Sequence, residues 1–262
     1  MQNFRSGTDA LLLVAYALQH IKRQVLTREY VQELNFVELG TGEGLVSYLL
    51  AKNLASMDNI LKVRAIGLDI NELSIQVAKK YVINEQDKNF SKLELNFACL
   101  DLKNKKSFYN ICTETNFANA SYVLANPPYY KAGRVSSSLN RAQALHQNHI
   151  PLPSQDNLSK DNHVLNVFCA RAKEVLVHHG WFFLVYLAND MYDLWKILQE
   201  HGFGLRYALP IHTRPQKPAR FMLMASQKNA KHDVQFEPSI CLYARKKGDS
   251  ISANALSFCP WL

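Results

Sequence analysis

No apolar run in this chain reaches the roughly 18 uninterrupted residues that a membrane-spanning helix requires. The nearest approach, residues 10–18, has one cation before it, Arg5, the acidic Asp9 at its edge and no small-residue cleavage site after it, so it reads as a helix of a folded domain rather than a secretory leader. Cysteine is scarce and badly spaced for cross-linking. Cys99, Cys112, Cys169, Cys241 and Cys259 are odd in number and contain no C-x-x-C pair, so they supply neither a disulfide framework nor the spacing of a zinc site. Charge is also too thin for a disordered protein: Asp, Glu, Lys and Arg make up 20% of the 262 residues against 48% hydrophobic, enough to build a core. There is no internal repeat and no low-complexity tract. These exclusions leave a reduced, cytoplasmic, globular protein, expected as a single domain over residues 1–262 and read as a monomer.

Acidic residues are the minority sign. Lys and Arg number 30 against 22 Asp and Glu, a formal charge of +8 with a pI near 9.2, which favours a polyanionic partner without requiring one. What is present in quantity is alternation. Short β-rich runs at 36–39, 63–68, 93–98, 122–125, 181–187, 205–210 and 221–225 alternate with helical patterns at 8–25, 43–57, 72–84, 103–113, 162–178 and 190–200, which predicts an α/β fold with a mainly parallel sheet covered on both faces. Thr8, Asn71 and Asn189 stand near helix N-caps and Gly180 and Gly202 at helix C-caps. Residues 212–219 carry no helical pattern, so the last two strands should pair antiparallel as a hairpin. Residues 130–160 are rich in Ser and Pro, lack periodicity, and read as a substrate-facing loop or an incidental insertion. Residues 1–35 form an N-terminal helical segment.

Four places in this pattern carry chemistry. Glu38-Leu39-Gly40-Thr41-Gly42-Glu43-Gly44 joins the first strand to the next helix; its glycines allow a tight turn and close approach of a ligand to the backbone. The spacing is G-x-G-x-G, not the G-x-G-x-x-G of a pyrophosphate site, and the anionic Glu38 suits a ligand bearing an ammonium, which points to S-adenosylmethionine; a glycine turn without a ligand is the alternative. Asp69, ending the second strand, is placed to hold the hydroxyls of a ribose or to cap the following helix. Asp101, past the third strand, could accept from an adenine amino group or be only solvated. Asn126-Pro127-Pro128-Tyr129 follows the fourth strand. Proline fixes φ and removes the N–H, so the Asn126 side-chain oxygen and the Pro127 carbonyl can each take one hydrogen of a planar –NH2 while Tyr129 offers a ring for stacking. All four lie at carboxyl ends of successive strands, where open α/β sheets bind ligands.

In this order and at these separations, Glu38 to Gly44, Asp69, Asp101 and Asn126 to Tyr129 resemble a class I S-adenosylmethionine-dependent methyltransferase of the amino-modifying branch. The opening Phe4-Arg5-Ser6-Gly7-Thr8-Asp9-Ala10-Leu11-Leu12-Leu13 and the late Pro218-Ala219-Arg220-Phe221-Met222-Leu223-Met224 look, more closely, like the bacterial tRNA1(Val) adenosine-37 N6-methyltransferase family. The resemblance implies a Rossmann-like, seven-stranded sheet, S-adenosylmethionine as methyl donor with Thr8 and Asp9 beside its methionine end, an adenine in RNA as acceptor and no metal. Asn126, Pro127 and Tyr129 would serve the acceptor amine; Glu38, Gly40, Gly42, Gly44, Asp69, Asp101 and Asn126 would serve the cofactor.

Cations are placed for RNA or for an ordinary solvated surface. Lys131, Arg134 and Arg141 follow the tetrapeptide; Arg206, Arg214, Lys217 and Arg220 lie in a stretch, 203–221, without Asp or Glu, and Arg220 is also marked by the family resemblance. The nine histidines, among them His146, His149, His178 and His179, read as surface or structural groups. The same tetrapeptide serves enzymes that methylate a glutamine amide in release factors, since that –NH2 is conjugated too. Those enzymes carry a helical substrate domain before the glycine turn, whereas about 36 residues precede Val37 here. Amino methylation of rRNA or DNA stays open, as do an idle RNA-binding fold and, on poorer grounds, a nicotinamide oxidoreductase.

Overall fold

A computed structural model describes residues 7–83, 91–128, 164–244 and 250–262. Tyr129, Lys131, Arg134, Arg141 and the expected loop at 130–160 lie outside the described residues. In chain order the elements are α1 (Thr8–Val25), β1 (Leu34–Leu39), α2 (Leu45–Ala55), β2 (Val63–Asp69), α3 (Glu72–Ile83), β3 (Leu93–Cys99), α4 (Lys105–Glu114), β4 (Ala120–Ala125), α5 (Val164–Val175), β5 (Leu176–Leu187), α6 (Met191–Glu200), β6 (Phe203–His212), β7 (Ala219–Lys228), β8 (Gln235–Phe236), β9 (Ile240–Cys241) and α7 (Ala253–Phe258).

The sheet runs β3-β2-β1-β4-β5-β7-β6-β8, with β9 also on β6. β1 to β5 are parallel neighbours, whereas β7 pairs antiparallel with both β5 and β6, as the patternless 212–219 link requires. The sheet has nine strands, not seven. β8 and β9 are two residues each and run parallel to β6; a pair that short has no periodicity to read, and it blunts the edge that β6 would otherwise expose.

Strands buried on both faces read as continuous apolar runs, and here they feed two cores. Phe36, Ala65, Phe183 and Val185 face α1 and α2. Val37, Ile66, Phe182 and Leu184, one residue out of step, join Phe108, Phe168 and Leu194 from α4, α5 and α6. The run at 10–18 is the buried half of α1, and no helix among the described residues is long and apolar enough to cross a membrane. All five cysteines are free thiols.

Cap residues differ from expectation in three places. Gly7, not Thr8, is the N-cap of α1 and has no side-chain bond. Asn189 falls inside the short 3-10 turn Ala188–Asp190, leaving Asp190 to precede α6. Gly180 is not a C-cap: α5 stops at Val175 and Gly180 sits within β5, in a bulge where residues 177–180 stand against Ser121 between Ala120↔Leu176 and Tyr122↔Trp181, with His179 at φ 58°. A Cβ on Gly180 would come within 2.9 Å of Leu176 Cδ2, 3.0 Å of the Val177 carbonyl oxygen and 3.2 Å of that of Ser121, so the tight bulge against β4 selects the glycine. Asn71 does cap α3, its Oδ1 accepting from the N–H groups of Leu73 and Ser74. Gly202, at φ 73°, ends α6 as expected, its N–H donating to Gln199 O.

Candidate active site

β1 and β4 lie side by side with Leu39 opposite Ala125, so the glycine turn and Asn126 leave the sheet at one level from adjacent strands. Gly40, Gly42 and Gly44 have φ of 72°, 54° and 84°, the left-handed region that side chains disfavour. They are not equivalent. A Cβ on Gly40 would crowd Phe168 and one on Gly44 would strike Phe97 and Ala78, whereas a Cβ on Gly42 would meet nothing within 4 Å. Gly42 is therefore the glycine that faces open space, where a ligand can touch the backbone. That space is a cleft of about 270 Å³ whose walls include Gly7 and Ala10 of the α1 entrance, Glu38, Gly40, Gly42, Ser74 and Asn126.

Strand alternation turns Glu38 toward α2, and α2 meets it with Ser47. The Glu38 Oε2 atom accepts from Thr41 Oγ1 at 2.6 Å, Ser47 N at 2.9 Å and Ser47 Oγ at 2.5 Å. Glu38 is 1% exposed, and burial pushes its carboxyl up to about 7 against the pull of the Ser47 and Thr41 hydrogen bonds. The expected anion is thus a braced, largely desolvated carboxyl on the cleft wall. Ser47 and Ser74 escaped the sequence reading, and Thr41 entered it only as part of the turn; the hydroxyls at 41 and 47 bracket the turn, but only the folded helix shows that both reach one oxygen.

Asp69 is tied at both oxygens: Oδ2 accepts from Gly42 N–H at 2.8 Å and Oδ1 from Asn71 N–H at 2.8 Å. It fastens the end of β2 to the glycine turn, and each oxygen keeps a further lone pair. Beside it Ile70 is 67% exposed, an apolar side chain at the ligand edge that the sequence reading passed over. Asp101 is exposed and its Oδ1 accepts from Lys103 N–H at 2.9 Å, the local turn of a loop carboxylate. Thr8 and Asp9 occupy the first turn of α1, where Asp9 Oδ1 accepts from Ala10 N–H at 3.1 Å; the cleft wall is made by their neighbours Gly7 and Ala10. Pro127 is buried and Pro128 exposed. Among the described residues no group of three or more His, Cys, Asp or Glu is arranged to hold a metal ion.

The turn from β6 to β7 opens at the same sheet edge, because Phe221 pairs with Leu187 at the carboxyl end of β5 and with Ile211 near the end of β6. It carries Arg214, Lys217 and Arg220, the last two exposed. Arg206 lies away from it, 3.7 Å from Asp233.

This architecture is shared with solved methyltransferases. An Agrobacterium tumefaciens protein described as a predicted O-methyltransferase superposes with a TM-score of 0.61 at 14% identity, covering 97% of this chain and 96% of the other. A Listeria monocytogenes protein assigned as a class I S-adenosylmethionine-dependent methyltransferase gives 0.55 at 13% identity, over 90% of this chain and 65% of its own. The fold is that of the class I S-adenosylmethionine-dependent methyltransferases. In sequence, the chain is similar to the release factor glutamine methyltransferase of Fusobacterium nucleatum, 26% identical over 198 residues covering 75% of this chain and 47% of that protein. It is also similar to tRNA1(Val) (adenine(37)-N6)-methyltransferases: that of Shewanella woodyi, 31% identical over 112 residues covering 43% of this chain and 40% of the relative, and that of Vibrio vulnificus, 23% identical over 218 residues covering 83% and 73%. The chain thus spans less than half the length of the Fusobacterium and Shewanella relatives. No family model matches it.

Proposed function

We propose that this protein transfers a methyl group from S-adenosylmethionine to the exocyclic amino group of an adenine in RNA, foremost tRNA. The observation that carries the reading is the pairing of Leu39 with Ala125, which puts the open backbone at Gly42 and the amide of Asn126 on the walls of one cleft. The residues fit the cofactor: Gly42 leaves room against its backbone, Glu38 offers a carboxyl toward an ammonium, Asp69 retains acceptor capacity for ribose hydroxyls, and Ile70 gives an adenine ring an apolar surface next to Asp101. When bound, the sulfonium supplies an electrophilic methyl.

The rest falls to this chain's own groups. An adenine amino lone pair is delocalised into the ring, so a site that favours the pyramidal nitrogen favours the transition state. Asn126 Oδ1 and the Pro127 carbonyl oxygen accept the two amino hydrogens, turn the lone pair toward the donor and stabilise the charge developing on nitrogen. The surplus proton leaves from that nitrogen to solvent, and Tyr129 stacks on the base. RNA is favoured over protein by the basic turn that shares the edge with Asn126, where Arg214, Lys217 and Arg220 contact phosphates, with Lys131, Arg134 and Arg141 following the tetrapeptide. N5-methylation of a glutamine is the second reading, supported by the Fusobacterium relative, because an amide –NH2 is conjugated in the same way.

One experiment separates them. The purified protein is incubated with methyl-labelled S-adenosylmethionine and separate pools of tRNA, rRNA, DNA and protein from cells lacking the gene. Labelled N6-methyladenosine in tRNA is the expected product, and label in N5-methylglutamine replaces this reading with the second.

A further inference from the structure

Residues 203–232 contain six cations, Arg206, Arg214, Lys217, Arg220, Lys228 and Lys231, and no Asp or Glu. The turn at their centre is held in shape. Pro215 and Pro218 restrict it, Lys217 N–H donates to Arg214 O at 3.2 Å, and His212 Nδ1 lies 2.7 Å from Lys217 O. The C-terminal segment is then fastened onto it: Leu242 N–H donates to His212 O at 2.8 Å, Tyr243 N–H to Thr213 O at 3.1 Å, and Tyr243 is itself bridged to Ile251. This fixes the Tyr243 ring under Arg214, whose guanidinium carbon stands 4.8 Å from the ring centroid. A guanidinium lying on an aromatic ring is pre-organised, and the plane it presents suits stacking by a base.

Place decides what such a pair can reach. From β4 to β6 the sheet order crosses β5 and β7, three spacings of about 4.8 Å, so the turn stands roughly 14 Å along the ligand edge from Asn126. A strand whose target base is held at Asn126 brings its neighbouring nucleotides past Arg214. In an A-form duplex those neighbours are stacked on one another and offer no free face; in a loop they are splayed and can stack on a protein surface. Resting on the RNA reading above, we propose that the Arg214–Tyr243 pair is a stacking platform for an unpaired nucleotide near the target base, and that it restricts the substrate to looped RNA over continuous duplex.

The test compares a synthetic hairpin RNA bearing an adenine in its unpaired loop with a continuous duplex of the same composition, each titrated against the full chain by fluorescence anisotropy, with cofactor affinity measured by calorimetry. Wild type is expected to prefer the hairpin. Tyr243→Ala should weaken hairpin binding roughly tenfold, the worth of one stacked base, leaving duplex and cofactor binding unchanged, while Tyr243→Phe retains the preference. Should Tyr243→Ala unfold, Arg214→Lys, which keeps the charge and removes the planar guanidinium, gives the same comparison. Hairpin binding that survives both Tyr243→Ala and Arg214→Lys, or equal losses on hairpin and duplex, overturns the platform and leaves the RNA reading standing. A wild-type protein that binds neither RNA overturns both.

Discussion

Asn126 is half-buried on the wall of the cleft, one residue past the end of β4, and its proposed part in the chemical step is to hold the acceptor amine. Asn126→Ala should therefore lower kcat by roughly 10²–10³-fold, the usual loss when one transition-state hydrogen-bonding group is removed. Cofactor affinity by calorimetry should change little; turnover that persists within a few-fold removes the clamp. Glu38 makes a second prediction, with two opposed pH trends. Burial raises its carboxyl from an ordinary 4.5 to about 7, so between those values the folded protein holds a proton that the unfolded chain has released. Stability should fall as pH rises through that window and level off above it. Affinity for a cationic ligand should rise as pH passes through about 7, where the folded Glu38 gains its charge. Ser47→Ala, which deletes one of the three donors on Oε2, should move the binding midpoint to higher pH in calorimetric titrations between about pH 5 and about pH 8. A midpoint that stays in place would show that the serine does not tune the carboxyl. The sequence reveals Glu38 beside its glycines, but the bond from Ser47 requires strand alternation and helix docking to agree.

At the scale of elements, the strand–helix alternation was legible because each inner strand is apolar on both faces. Phe182 and Phe183 point to opposite cores, which is why 181–187 reads as a run and not as an alternation. The same property hid the start of β5. Leu176, Val177, His178 and His179 continue the apolar-then-polar rhythm of α5, and only the pairing of Leu176 with Ala120 shows that the backbone has already joined the sheet. Phe183 holds α1 against β5: it is fully buried, with ring centroids of Tyr16 and Tyr122 at 6.2 Å and of Trp181 at 6.3 Å. Phe183→Ala should cost about 3–5 kcal/mol, measured as a shift of the denaturant midpoint at unchanged slope. A loss below about 1 kcal/mol would mean that α1 repacks over the gap.

For the whole molecule, the excess of positive charge takes on meaning through its position. The sheet order alone brings the β6–β7 turn to the edge occupied by Asn126, and no reading of local sequence contains that fact. Replacing Arg214 and Lys217 together by Gln should weaken RNA binding and reduce the slope of log K against log salt by roughly 0.7–0.9 for each phosphate that is no longer neutralised; an unaltered slope means that neither cation neutralises a phosphate. The Cys259 thiol, donating to the Leu11 carbonyl oxygen across 248 residues, bears on the order of folding. Cys259, which covers part of α1, is made 248 residues after Leu11. At about 5–20 residues per second that interval is roughly 10–50 s, during which the apolar flank of α1 lacks this cover. Limited proteolysis of stalled nascent chains should find α1 cleavable until residues 253–262 have emerged, so the length of chain between the two segments sets how long this flank of the helix stays open.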